Sequence, residues 1–175
     1  MVSPDVLRAL ADAAREGDDR ALAELVRHTQ PAVWQLCTAL GSQGEVEDLV
    51  QETYLRAVRG LEHYRGEAPV LAWLLSIGRH VCADHVRRRQ RRRRLVERLS
   101  ATAPDPIVPQ PGVPIDDVLD ALDPDRREAF VLTQLLGLSY EDAALALGCP
   151  IGTVRSRVAR ARADLTAAVR RAESR

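Results

Sequence analysis

The chain has 175 residues, with 25 arginines and no lysine against 25 acidic side chains, so its formal net charge is zero. Hydrophobic residues make up 46% of the chain, enough for a buried core, but aromatic residues make up only 3%. The length suits one domain or two small ones. The scarcity of aromatic residues argues against an aromatic-lined pocket for a small molecule.

The sequence gives no sign of membrane insertion or of a disulfide framework. No apolar run reaches the roughly 18 residues that a membrane span needs, and residues 1–5 lack the layout of a signal peptide. The three cysteines, Cys37, Cys82 and Cys149, are far apart and odd in number. This pattern argues against a CxxC zinc site and favours a reducing, cytoplasmic setting.

The zero net charge conceals a strong asymmetry along the chain. Residues 79–98 hold nine arginines against two acids, and residues 151–171 hold six arginines against one. The remainder carries a net charge of −12. Two basic segments on an acidic body indicate two contacts with a polyanion, and leave acidic surfaces for a different partner.

Residues 1–98 are predicted to be helical, because apolar side chains recur at spacings of three and four and no long period-two alternation occurs. Pro31 predicts a bend or a restart in the helix that contains it. A later helix leads into a basic run at residues 87–94, in which seven of eight residues are arginine. Such a run supplies sequence-independent attraction to phosphates; the alternative is a disordered basic tail.

Residues 99–115 are predicted to form an extended linker, because five prolines interrupt any helical period there. Seventeen extended residues reach at most roughly 56–61 Å. The linker would therefore separate a first domain at residues 1–98 from a second at residues 116–175, and let them touch DNA at two places.

The second domain is predicted to contain a helix-turn-helix. Asp123 and Pro124 form an N-cap and first-turn pair, Ser139 caps the next helix, and Gly148 suits a left-handed C-terminal cap. In the last helix, Val154, Val158 and Ala161 belong to an inward stripe. The opposite face combines small residues with arginines, which suits insertion into a major groove; a solvated arginine-rich helix is the alternative.

Three other groups of residues are candidate functional sites. Gly66 and Pro69 predict a loop before a helix that contains Trp73; the loop could hold an extruded base, although Trp73 by itself fits a core position better. The acidic helix from Glu45 to Arg59 presents a polar face, either simply solvated or directed to a basic partner. His80, Cys82, Asp84 and His85 do not converge on one helix face, so no metal site is predicted.

Four motifs occur in order over residues 20–170. They are DLVQETY at Asp48–Tyr54, YRGE at Tyr64–Glu67 ahead of Trp73, GLSYEDAA at Gly137–Ala144 and GCPIGTVRSR at Gly148–Arg157. Together they resemble the extracytoplasmic-function sigma factors of bacterial RNA polymerase. Two further runs, RHVCADH at Arg79–His85 and TQLLG at Thr133–Gly137, are most similar to the actinobacterial sigma-C type. The resemblance implies two all-helical domains, sigma-2 at residues 1–98 and sigma-4 at residues 116–175, with the linker at 99–115 between them.

The resemblance also implies roles for individual residues. The −35 element would be read in the major groove by Gly152, Thr153, Arg155, Ser156, Arg157 and Arg160. The opened −10 strand would be held by Tyr64, Arg65, Gly66, Glu67, Trp73, Arg79, His80, Asp84, Arg87 and Arg88. The polymerase core would be bound by Asp48, Gln51, Glu52 and Arg56.

The partners implied by the resemblance are promoter DNA and the polymerase core, through the coiled coil of its largest subunit and the flap of its second-largest subunit. An anti-sigma factor is a further candidate partner, and the expected location is the cytoplasm, at the nucleoid.

Two other classes of function compete with this interpretation. A free-standing helix-turn-helix regulator would bind a palindrome as a dimer. An enzyme is disfavoured, because the sequence has no Gly-rich phosphate loop or convergent carboxylate and histidine set, and no cofactor is predicted.

Overall fold

The computed structural model describes residues 2–41, 44–99, 119 and 121–173. These residues contain helices and no β-strand, which confirms the predicted all-α class. The helices are α1 (Pro4–Arg15), α2 (Asp19–Leu40), α3 (Val46–Leu61), α4 (Val70–Leu99), α5 (Pro124–Phe130), α6 (Tyr140–Leu147) and α7 (Ile151–Glu173). Apart from Leu99, the predicted linker lies outside the described residues.

Helices α1 to α4 form the first bundle, in which α2, α3 and α4 pack against one another around an apolar core. The centre of this core is made by Val33, Leu36 and Leu75, all fully buried. Helix α2 runs without interruption through Pro31, so a restart at that proline is wrong. Proline inside a helix costs about 3 kcal/mol, and the burial of the residues that follow it offsets this cost.

The second bundle begins with the predicted caps. The Asp123 side chain accepts from the backbone N–H groups of Asp125 and Arg126, and Ser139 accepts from the N–H of Asp142 at 3.0 Å. Both N-caps are therefore confirmed. Between them lies a feature that the sequence did not indicate: α5 continues into a π-helical turn at Val131–Leu135.

The two bundles pack against each other. Helix α6 lies against α4, and residues of both bundles belong to one hydrophobic cluster. The Arg127 Nε donates a hydrogen bond to the backbone oxygen of Ala39 at 2.8 Å. Helix α4 is therefore shared, because it completes the first core and also carries the contact with the second bundle. Within the described part of the chain, no helix is both long and apolar enough to cross a membrane.

Candidate nucleic-acid interface

Helix α7 is anchored by the stripe that its sequence predicts. Val154 and Ala161 are fully buried and Val158 nearly so, whereas Ile151 and Leu165 are half-buried at the edge of the same face. The packing against α5 and α6 therefore fixes the rotation of α7 about its own axis. The predicted inward stripe is confirmed, and the opposite face necessarily points away from the core.

The turn into α7 depends on Gly148. This residue has φ of +63° and ψ of 36°, the left-handed conformation that a side chain disfavours. Its N–H donates to the oxygen of Leu145, and the N–H of Cys149 donates to the oxygen of Ala144 at 3.1 Å. Helices α6 and α7 are thus joined by a tight turn, as in a helix-turn-helix unit.

The outward face of α7 is open to solvent. Gly152, Arg155, Ser156 and Arg160 are exposed, and Thr153 is half-buried beside them. The Arg155 guanidinium lies over the ring of Tyr140, 5.9 Å from its centroid, so the first helix of the unit steadies this arginine. Small residues along the centre of the face would permit close approach to a base pair, with arginine on either side.

Arg157 is placed differently from the other residues predicted for the −35 element. Its side chain is 24% exposed and forms an ion pair with Asp125 of α5. It also lies 3.7 Å from the Sγ of Cys149. These contacts tie α7 to α5 within the second bundle, so Arg157 reaches DNA only if it leaves them.

A substitution at Gly152 tests whether a DNA duplex closely approaches the outward face of α7. A Cβ added at this residue would meet no atom within 4 Å, so Gly152→Ala should leave the free chain at least as stable. If a duplex lies against this face, the added methyl group should instead weaken binding to the −35 element. Competition binding on −35 duplexes, together with thermal unfolding, separates the two effects. Unchanged DNA affinity would contradict direct contact at this position.

The loop between α3 and α4 is built around Tyr64. Tyr64 is only 6% exposed, and its hydroxyl donates to the backbone oxygen of Ala68 at 2.6 Å. Its ring packs against that of Trp73 at a tilt of 38°, with 4.8 Å between centroids. Arg65 and Glu67 are exposed on the rim. Tyr64 is therefore a buried residue that supports the loop from inside, while Arg65 and Glu67 face the solvent.

A cavity of about 440 Å³ lies beside this loop. Its walls include Arg65, Glu67, Trp73 and Ser76 of the first bundle, and Leu145 and Ala146 of α6 complete it on the other side. The volume is that of an ordinary ligand pocket. In this arrangement the second bundle closes one side of the cavity, and removing α6 would widen the entrance.

Arg79 also lies at the contact between the bundles. Its Nη1 is 3.1 Å from the Oε2 of Glu128 on α5, and both side chains are mostly buried. Burial raises the pKa of Glu128, and the charge and hydrogen bond of Arg79 oppose that effect. The nearby His80, Arg87 and Arg88 are exposed, so the predicted strand-binding surface is covered at one end and open at the other.

The basic run continues as helix α4 as far as Leu99, so the disordered-tail alternative does not hold for these residues. Just before the run, hydrogen bonds from Arg87 and Arg56 hold the pKa of Asp84 below its usual value. Asp84 is thus a partner of arginines in this structure. It orients Arg87, whose Nη2 lies 2.7 Å from its Oδ1.

The polar face of α3 is accessible along its length. Asp48 and Gln51 are exposed, and Glu52 and Arg56 are half-buried. The Arg56 Nε lies 2.7 Å from Glu52 Oε1, and its Nη1 lies 3.2 Å from Asp84 Oδ2 on α4. Arg56 therefore connects the predicted polymerase-binding face with the predicted DNA-binding helix.

Sequence reasoning missed two contributors to these surfaces, Glu128 and Arg8. Glu128 faces Arg79 across the bundle contact, and Arg8 lies over the Tyr64 ring, 5.3 Å from its centroid. No local signal marks either residue, since each acts on a partner at least 49 positions away. Among the described residues, no group of three or more histidine, cysteine, aspartate or glutamate side chains could hold a metal.

Comparison with known proteins decides the family. The family model for Sigma-70 region 2 matches residues 25–92, and the model for Sigma-70, region 4 matches residues 113–165. The probable RNA polymerase sigma-C factor of Mycobacterium bovis is 40% identical over 171 residues, which cover 93% of this chain and 91% of that protein. The chain belongs to the extracytoplasmic-function sigma factors. As such, it is an RNA polymerase sigma factor of transcription initiation.

Solved structures of other sigma factors resemble this one over both bundles. CnrH, solved in complex with the cytosolic domain of CnrY, is 32% identical, with a TM-score of 0.75 over 94% of this sigma factor and 97% of that chain. The sigma factor RpoE of Bartonella quintana, solved in complex with the anti-sigma factor NepR, is 30% identical, with a TM-score of 0.71 over 85% and 96%. The sigma factor thus shares its fold with both.

Proposed function

We propose that this sigma factor gives RNA polymerase its promoter specificity by reading two elements with two separate surfaces. The exposed face of α7 reads the −35 duplex, and the loop at residues 64–69 with the following helix holds the opened −10 strand. The outward direction of Arg155, Ser156 and Arg160, fixed by the buried stripe behind them, is the observation that carries this proposal.

The two DNA contacts have different chemistry. On α7, arginines flank small residues, the combination that reads base edges in a major groove. On α4, Arg87, Arg88 and the arginines that follow supply attraction to phosphates, which positions a strand without selecting its sequence. The identity of a base in the −10 element would be recognised in the cavity beside Tyr64, which would hold one extruded base.

The polymerase core is the partner for α3, through Asp48, Gln51, Glu52 and Arg56. The catalytic centre belongs to the polymerase, and this sigma factor contributes no enzyme activity of its own. It would act inside the cell at the nucleoid, with residues 1–98 and 116–175 as its two domains. Because one structural relative, RpoE, was solved in complex with the anti-sigma factor NepR, an anti-sigma factor is a candidate partner here as well.

Run-off transcription by purified core polymerase, with and without the full chain, tests the proposal. The expected result is a promoter-specific transcript that requires the chain and an asymmetric pair of sequence elements. Equal transcription without the chain would contradict it. So would tight binding of a palindromic duplex by a dimer of the free chain, which is the behaviour of a helix-turn-helix regulator.

Charge reversal on α3 tests polymerase binding. Asp48→Arg should weaken association with the core by about tenfold or more, because it places a cation where the proposed interface is acidic. Asp48 is exposed in the first turn, so the fold should survive with a loss of about 0.3–1 kcal/mol in helix stability. Fluorescence titration with core polymerase measures the affinity.

The control for this experiment is Glu62→Arg, the same reversal at the exposed opposite end of α3. It lies about 20 Å away along the helix, outside the proposed interface. Equal affinities of the two variants for the core would show that Asp48 has no special role.

A further inference from the structure

Helix α1 lies outside both family-model matches, since the first of them begins at residue 25. Its apolar side nevertheless packs against the loop at residues 64–69, called the −10 loop below. Leu7 and Ala11 are buried in a separate hydrophobic cluster with Leu61, Tyr64 and Val70, the residues on either side of the loop. The helix is therefore positioned to influence the loop.

Three charged residues of α1 lie on one side of the helix and face the loop. Arg8, Asp12 and Arg15 are spaced at four and three positions, which places them on one stripe. The Oδ2 of Asp12 is 2.9 Å from Arg8 Nε, and its Oδ1 is 3.2 Å from Arg15 Nη2. One carboxylate thus accepts a hydrogen bond from Arg8 and forms an ion pair with Arg15.

Each of the two arginines contacts the loop at a different point. Arg15 Nη1 donates to the backbone oxygen of Tyr64 at 3.3 Å. Arg8 lies over the Tyr64 ring and directly against Gly66, where an added Cβ would fall 1.5 Å from its Nη1. Gly66 has φ of +75°, so the loop turns at the residue on which Arg8 rests.

The loop has one internal tie, from the Tyr64 hydroxyl to the oxygen of Ala68. From α1, Arg15 adds a hydrogen bond to the backbone of Tyr64, and Arg8 lies against both the Tyr64 ring and Gly66. A pocket that distinguishes bases requires its walls to stay within a fraction of an ångström of their position. The exposed loop residues alone do not provide that rigidity.

We infer that Arg8, Asp12 and Arg15 are positioning residues for the −10 loop, which set the shape of the base pocket without touching DNA. This inference rests on the proposed role of the loop in −10 recognition. Loss of either arginine should loosen the pocket and reduce selectivity for the base that it holds, while binding of the −35 element and of the polymerase core continues.

The experiment uses the holoenzyme, reconstituted from the full chain and core polymerase, on a promoter that the wild-type holoenzyme selects from a randomised pool. Open-complex formation is measured with all four bases at each −10 position. Arg8→Ala and Arg15→Ala should each reduce the preference at one position by about two- to tenfold, the effect of losing one cation–π contact for Arg8 and one hydrogen bond for Arg15. Preferences at the other positions and in the −35 element should persist.

Two further variants separate positioning from simple stability. Arg15→Lys can still donate to the Tyr64 oxygen and should retain most of the preference that Arg15→Ala loses. Arg20→Ala removes the same charge at an exposed position on the neighbouring helix and should behave as wild type. Thermal unfolding of every variant accompanies the promoter measurements.

The outcomes are distinct. Unchanged base preference in Arg8→Ala and Arg15→Ala would overturn the inference and leave the proposed function standing. An equal loss at all positions, accompanied by a lower unfolding temperature and no recovery in Arg15→Lys, would also overturn it, because α1 would then only stabilise the bundle. A wild-type holoenzyme without any base preference in the −10 element would overturn the role of the loop itself, and this inference with it.

Discussion

Replacement of Arg155 by alanine is expected to reduce discrimination at one base pair of the −35 element by about 1–3 kcal/mol. Arg155 is exposed on the outward face of α7 and lies over the Tyr140 ring. An arginine held in this way loses little side-chain freedom on binding, which favours a bidentate contact with guanine. Competition among −35 duplexes with each base pair substituted, using holoenzyme, measures the effect.

Arg171→Ala is the matched control for Arg155→Ala. It removes the same charge from an exposed position on α7, about 24 Å further along the helix. It should change DNA affinity little and base preference not at all. If Arg155→Ala weakens all duplexes equally, with the preference intact, Arg155 contacts a phosphate and not a base.

The second large effect is expected at the contact between the bundles. Glu128→Arg replaces the ion pair of Glu128 and Arg79 with two like charges, in a place where both side chains are about one-sixth exposed. Breaking a buried pair costs about 3–5 kcal/mol, so the packed arrangement should open by a factor of about a hundred or more. Opening uncovers Arg79 and the cavity beside Trp73.

Two measurements on the free chain follow this change. The radius of gyration from small-angle scattering should increase, and affinity for single-stranded DNA carrying the −10 element should rise. Asp164→Asn is the control, because it removes the ion pair with Arg126 inside the second bundle and leaves the contact between bundles intact. A compact Glu128→Arg variant with unchanged affinity would show that this pair does not hold the bundles together.

Local chemistry in the sequence was sufficient to predict the helix-turn-helix. The caps at Asp123 and Ser139 and the left-handed Gly148 depend on residues within a few positions of one another. The buried stripe of α7 follows from spacing alone. These features need no knowledge of the rest of the chain, which explains why they were predictable.

The features that were not predictable depend on tertiary packing. Pro31 remains inside a continuous α2 because the residues after it are buried against two other helices. The π-helical turn after α5 has no marker in composition. Tyr64 was predicted to hold a base through its motif, yet it is buried by contacts from α1 and α4 that only the folded chain reveals. How it acts on DNA stays a prediction.

The length of α4 has a consequence for promoter architecture. Trp73, at the base cavity, and Arg88, in the basic run, lie on one uninterrupted helix, about 22 Å apart at 1.5 Å per residue. With about 3.4 Å per nucleotide along a strand, this separation corresponds to six or seven nucleotides. On the proposed function, the helix therefore sets the interval between the enclosed base and the phosphates near Arg88, and we expect insertions or deletions within that interval to reduce promoter opening.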